Sequence, residues 1–211
     1  MSDFFHPIVR LHRKGYTPKG ILDIGAHKGM FAGNLHGAWP DAKALLFEAN
    51  PAMEPALKKL GLPYRICLLG RENKMTDFFV DPQNPESTGN SIFIEQTEHF
   101  KDATTAKLPM HRLDDVIDDV SAYDFMKLDV QGAELEVLEG APNTLKHLRF
   151  VFAEVTLRQY NKGAPLFYEV HHYMHEKGFQ MVDLCELTVI DGALFQFNVL
   201  FERLESPAAS S

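Results

Sequence analysis

Residues 21–29 read ILDIGAHKG. An apolar strand ends around Asp23, Gly25 follows, and Gly29 opens a helix that runs to about Ala38. Glycines let the chain turn sharply and approach a ligand closely, and the helix start presents unpaired N–H groups. A pyrophosphate-binding turn wants G-x-G-x-x-G. Here the spacing is G-x-x-x-G, with His27 where the middle glycine would stand. A Cβ there crowds a pyrophosphate, which disfavours a nicotinamide-dependent oxidoreductase. The turn fits a smaller ligand with an amino-acid portion.

Outward from this turn the chain alternates short apolar runs with helical patterns. AKALLFEA predicts the next strand, ending at Glu48, and Asn50-Pro51 start the helix PAMEPALKKLG. A carboxylate at the tip of a second strand can accept both hydrogen bonds of a ribose diol. PYRICLLG, YDFMKLDV, LRFVFAEV, GFQMVDL and LFQFNVLFE read as further strands, with AELEVLEGA and PLFYEVHHYMHEKG as helices among them. Continuous apolar runs mark strands buried on both faces, as in a parallel α/β sheet. No helix separates the last two strands, which predicts a hairpin and one antiparallel member. The rhythm breaks over about residues 71–112, where MTDFFV, NSIFIEQ and KLPMHRL read as short extra strands around the polar loop DPQNPESTGN. An insertion of this length usually carries specificity or forms a lid.

The 211 residues suit one domain, with 45% hydrophobic residues and a net charge of −8. Residues 1–19 read as a basic helical preamble, 20–205 as the domain and 206–211 as a flexible tail. An acidic balance argues against nucleic acid as the main partner. No apolar run approaches the roughly 20 residues that cross a bilayer, and the start lacks a signal-peptide pattern. Cys67 and Cys185 read as buried free thiols, consistent with a cytoplasmic protein.

ILDIGAHKG, LLFEANP and above all MKLDVQGAELEVLEGA followed by FVFAEVTL resemble the FkbM family of S-adenosylmethionine-dependent methyltransferases. The resemblance spans about residues 20–200, and D-x-Q-G-x-E-x-x-V-L-x-G at 129–140 is its most specific part. It implies a class I methyltransferase fold: a Rossmann-like three-layer α/β sandwich with a seven-stranded, mostly parallel sheet. It also implies S-adenosylmethionine as donor and O-methylation of a hydroxyl on a sugar or natural-product acceptor. The cofactor residues expected are Asp23, Gly25, Ala26, His27 and Gly29 in the first turn, with Glu48 and Asn50 after the second strand. Leu69, Ser91 and Asp129 complete them. His27-Lys28 and Ala49 depart from the family's usual residues at their positions.

Asp129 ends a strand, and ligands of parallel sheets bind beyond such ends. On the helix that follows, rotation puts Glu134 on the face of Val137, Leu138 and Ala141, where a carboxylate needs a partner. Either backbone N–H groups satisfy it or it joins Asp129 in a polar cluster; the cluster is the reading adopted. Methyl transfer is an in-line displacement, and a general base is plausible for an alcohol. Asp129, His27 and His111 are the candidate bases, so Asp129, Glu134 and His27 form the catalytic set. Gln131, Glu154 and His111 are assigned to the acceptor; for Glu154 a salt bridge to Arg158 or to a Lys of a neighbouring loop is the competing account.

No metal is expected. His171, His172 and His175 fall on the polar side of their helix, and the Asp114, Asp115, Asp118 and Asp119 cluster reads as a solvated face. Met53, Met75, Met110 and Met174 read as core filler. The alternative function is a non-catalytic module that binds S-adenosylmethionine or S-adenosylhomocysteine and regulates a partner.

Overall fold

A computed structural model describes residues 6–204. The proposed tail at 206–211 and the first residues of the preamble lie outside them. Helix α1 (His6–Arg13) precedes β1 (Gly20–Ile24), α2 (Met30–Ala38), β2 (Lys43–Glu48), α3 (Glu54–Leu60), β3 (Tyr64–Ile66), β4 (Leu68–Leu69) and β5 (Lys74–Val80). Then come β6 (Thr104–His111), α4 (Leu113–Val116), β7 (Phe125–Leu128), α5 (Glu134–Glu139), α6 (Pro142–His147) and β8 (Phe150–Thr156). Helix α7 (Phe167–Glu176), β9 (Phe179–Ile190) and β10 (Ala193–Arg203) finish the chain.

Seven strands form one sheet in the order β3-β2-β1-β7-β8-β10-β9. Only β10 runs against its neighbours, pairing antiparallel with both β8 and β9. Chain order reverses between β1 and β7, where a crevice opens beyond the strand ends. Val137 and Leu138 of α5, Leu145 of α6, and Val170 and Met174 of α7 pack on one face of the sheet. Ile8 and Leu11 of α1 and Phe31 and Leu35 of α2 pack on the other, where Phe31 stacks on Phe152 at 5.9 Å. Each such buried side chain contributes about 1.5–3 kcal/mol, so the helices are fixed by their apolar stripes. No helix among the described residues is long and apolar enough to cross a membrane.

Strands and burial depart from the sequence pattern at five places. PYRICLLG is not one strand: it breaks at Cys67, and β3 joins the large sheet while β4 pairs with β6 in a three-stranded sheet with β5. NSIFIEQ forms no strand; single bridges at Ser91 and Glu95 are its only ladder contacts. Ser91 and Glu95 are buried, and the Ser91 hydroxyl accepts the Phe93 N–H at 3.2 Å, which competes with a ladder for that backbone. Met75 is 59% exposed rather than core. Cys67 is only partly buried, unlike Cys185, although both are free thiols. His171 is partly buried rather than fully solvated, its ring centroid 5.5 Å from that of Phe167.

Candidate functional site

At the switch point the turn after β1 meets the turn after β7. Gly25 has φ +75, and a Cβ there would overlap the Asp129 carbonyl oxygen. The glycine is required by this contact between two loops of the protein, as well as by any ligand. Gly29, also left-handed at φ +76, answers to packing instead of to close ligand approach: its missing Cβ leaves room for Leu57 and Leu60 of α3.

The crevice is lined by Gly25, His27, Glu48, Asn50, Leu69 and Ser91, together with Asp129 and Gln131. Glu48 is 9% exposed, and burial raises its pKa against the lowering effect of its hydrogen bonds. Its carboxylate accepts the Asn50 N–H at 2.8 Å on one oxygen and the His27 N–H at 2.7 Å on the other. A carboxylate has roughly four acceptor sites, so two remain for a ligand. Ile24, Phe47, Cys67 and Leu68 supply apolar wall.

The insertion closes over this crevice. Asn50 Nδ2 donates to the Pro85 carbonyl at 2.6 Å, and His27 Nε2 lies 2.9 Å from the Glu86 carbonyl oxygen. Lys28 pairs with Glu86 at 2.7 Å. Ser91 is buried, and its hydroxyl donates to the Gln131 carbonyl at 2.8 Å. Ser91 thus ties the insertion to the loop after β7.

Asp23 departs from its expected place facing a cofactor. It is fully buried under the turn, accepts the Ala32 N–H at 3.2 Å, and lies 3.4 Å from Lys127 Nζ. Burial raises the Asp23 pKa, and Lys127 opposes that shift. Lys127 is the residue the sequence reading missed; a lysine inside the apolar run FMKL was the available signal. Its ammonium donates to the Gly25 carbonyl at 2.7 Å and stands 3.3 Å from Asp129 Oδ2. Burial lowers its pKa, but Asp129 and Asp23 outweigh this and the net shift is upward. One buried cation therefore fixes both turns.

Gln131, at φ 54, donates through Nε2 to Asp129 at 2.9 Å and to Glu154 at 2.8 Å. Glu154 reaches the site through this amide and through Gln196 at 3.4 Å, rather than lining the crevice itself. Burial and the nearby charges of Asp129 and Glu134 push its pKa well up. Glu134 is turned to backbone: one oxygen accepts the Val130 N–H at 3.0 Å and the Gly132 N–H at 3.2 Å. Burial pushes its pKa up to about 7. The rotation argument placed it correctly on the inward face, but it shapes the loop instead of facing an acceptor. His111 ends β6 beside Leu69, outside the residues lining the crevice. Ala26 faces a second opening, beside the start of α2.

A family model, the methyltransferase FkbM domain, matches residues 23–181. The chain belongs to this family. Methyltransferase 1 of Beauveria bassiana (strain ARSEF 2860) is 27% identical over 145 residues, covering 57% of each chain. Methyltransferase sdnD of Sordaria araneosa is 26% identical over 156 residues, covering 57% of this chain and 59% of its own. This FkbM chain thus spans less than two thirds of the length of these relatives. Among solved structures, magnesium protoporphyrin IX methyltransferase from Synechocystis PCC 6803 with bound S-adenosylmethionine has a TM-score of 0.54 at 11% identity, covering 94% of this chain and 77% of that one. The 1,6-didemethyltoxoflavin-N1-methyltransferase of Burkholderia thailandensis, with S-adenosylhomocysteine, has a TM-score of 0.52 at 10% identity, covering 94% and 76%. At such identities the likeness is one of fold, and the fold is that of class I methyltransferases. The FkbM crevice fits such a cofactor on donor chemistry: a buried acid with spare acceptor sites, an apolar wall, and a second carboxylate, Asp129, beside the turn.

Proposed function

We propose that this FkbM protein is an S-adenosylmethionine-dependent methyltransferase that methylates a hydroxyl of a small-molecule or glycan acceptor. The observation that carries the reading is that Glu48 and Asp129 line one crevice at the switch point of the sheet. The cofactor, when bound, supplies an electrophilic methyl group on a sulfonium. Glu48 holds the ribose diol through its two spare acceptor sites, while Phe47, Leu68 and Leu69 take the base. Gly25, Ala26 and His27 carry the amino-acid end. Asp129 favours positive charge beside it by Coulomb attraction and takes the proton that leaves the acceptor hydroxyl.

Lys127, 3.3 Å from one oxygen of that carboxylate, holds it in place, and Gln131 restricts its second oxygen. Much of the rate comes from holding the reacting atoms in line and from excluding water, tasks that fall to the latched insertion. The hydroxyl reading is supported by a carboxylate, Asp129, at the crevice as proton acceptor.

Calorimetric titration with S-adenosylhomocysteine tests the reading, and absence of binding overturns it. Labelled donor with a panel of glycan and natural-product acceptors then tests turnover. Transfer that survives Asp129→Asn unchanged removes Asp129 from its proposed part.

A further inference from the structure

We infer that β9 is a docking edge for a second copy of this chain, which pairs antiparallel with it about a two-fold axis between Cys185 and Glu186. Among the described residues β9 is the last strand of the seven-stranded sheet and pairs with β10 alone. Its outward N–H and C=O groups are a template for a further strand, and soluble proteins blunt such edges with lysine, proline or a bulge. The twelve residues FQMVDLCELTVI contain no lysine or proline. Val182, Leu184, Leu187 and Val189 are between 42% and 58% exposed, an apolar run on an open edge.

The register on β10 tells which way each side chain points, because residues paired across a ladder share a sheet face. Leu184 pairs with Val199, which lies in the core under α7, and Val189 pairs with Leu194, packed on that same core. Asp183 pairs with Leu200, which lies in the core under α1 and α2. Cys185 belongs to that second core, and Glu186 lines the opening beside the start of α2. Between Cys185 and Thr188 the strand carries one residue more than β10, and Glu186 sits there at φ 52. This bulge turns two successive side chains, Cys185 and Glu186, to the α2 face. Alternation then resumes: Leu187 points to the α7 face, Thr188 to the α2 face and Val189 to the α7 face.

A bulge ordinarily spoils an edge; this one makes the strand a palindrome over residues 183–188. Outward from the peptide between Cys185 and Glu186, the side chains read α2 face, α7 face, α2 face in both directions. A two-fold axis normal to the sheet through that peptide therefore brings like faces together. In an unbulged strand, residues related in this way point to opposite faces and cannot pair.

The chemistry of the pairs agrees with the geometry. Leu184 faces the partner's Leu187 and Leu187 the partner's Leu184, so four leucines meet over the axis on the α7 face. Asp183 faces the partner's Thr188, and Cys185 the partner's Glu186, so no two carboxylates stand opposite one another. Asp183 is paired with Arg10, and Glu186 accepts from the Asn198 amide at 2.7 Å. The contact is isologous and closes after two copies. Because Glu186 lines the opening beside α2, the two copies bring these openings side by side on one face.

Sedimentation velocity of the full chain between about 1 and 200 µM tests the inference. The wild type passes from 23.9 kDa to twice that mass as concentration rises. Leu184→Lys/Leu187→Lys sets lysine opposite lysine at both central pairs and raises the half-association concentration at least about tenfold. Leu184→Lys/Leu187→Glu sets lysine opposite glutamate at the same two places and associates within about threefold of the wild type. Both positions are exposed, and far-UV circular dichroism matching the wild type shows that the variants fold. A wild type that stays at 23.9 kDa overturns the inference. So does a dimer untouched by Leu184→Lys/Leu187→Lys, or a Leu184→Lys/Leu187→Glu variant that associates as weakly as the double lysine variant.

Discussion

Lys127 Nζ and Asp23 Oδ1 face each other at 3.4 Å, with side chains 7% and 0% exposed. The pair joins β7 to β1 directly beneath the two turns that form the crevice. Breaking a buried pair by removing one partner leaves an uncompensated charge and costs about 3–5 kcal/mol. Lys127→Met is therefore expected to lower unfolding free energy by that amount in urea titrations. The double variant Lys127→Met/Asp23→Leu should recover part of it; no recovery would place the lysine's whole contribution in its contacts with Asp129 and the Gly25 carbonyl.

Glu48 holds two backbone N–H groups with its two oxygens. Glu48→Gln replaces one acceptor with an NH₂ that confronts an N–H. A hydrogen bond to a charged group contributes about 1.5–3 kcal/mol, so S-adenosylhomocysteine affinity should fall at least about tenfold by calorimetry. Unchanged affinity would place the ribose elsewhere.

The insertion's latch contains contacts of unequal worth. Lys28 and Glu86 are both about half exposed, and such pairs contribute roughly 0–1 kcal/mol. Glu86→Ala should change S-adenosylhomocysteine affinity less than about fivefold. Asn50→Ala removes the bond to Pro85 and a side-chain acceptor of the Ala52 N–H, and should cost more. The reverse order would mean that charge, not the amide, closes the loop.

Glu134 has a folded pKa of about 7 because burial outweighs its hydrogen bonds, against an unfolded value of about 4.3. Between these values the folded state binds more protons than the unfolded state, so this group's contribution is complete below about pH 4 and is lost as pH rises toward 7. The wild type should lose on the order of 3 kcal/mol relative to Glu134→Gln across that window, from stability curves measured at several pH values. A difference that is flat with pH would assign the carboxylate an ordinary pKa.

Much of the architecture is legible in local pattern. Gly25, Glu48 and Asp129 stand at strand ends that apolar runs mark without reference to the rest of the chain. Their convergence follows from the order of parallel strands. Asp23 and Lys127 escape this logic because each sits inside a run, and only pairing across β1 and β7 shows that they meet. Glu186 is further out of reach, since its direction depends on a bulge and on Asn198 in another strand. Glu134 shows an intermediate case: helical rotation gives its direction but not what it touches. The break at Cys67 has no local mark either, because Leu68 and Leu69 suit a strand in either sheet.

That break has a consequence for how such a protein diversifies. The Gly70 N–H donates to the His111 carbonyl at 2.9 Å, and Leu69 stands opposite His111 in the register. The segment between them departs from and returns to a single point. A graft whose two ends already touch adds little closure entropy as it lengthens, and none of the seven strands needs re-registering to receive it. Residues 71–110 therefore form an excursion closed at its base, whose length is decoupled from the strands that carry Glu48, Lys127 and Asp129.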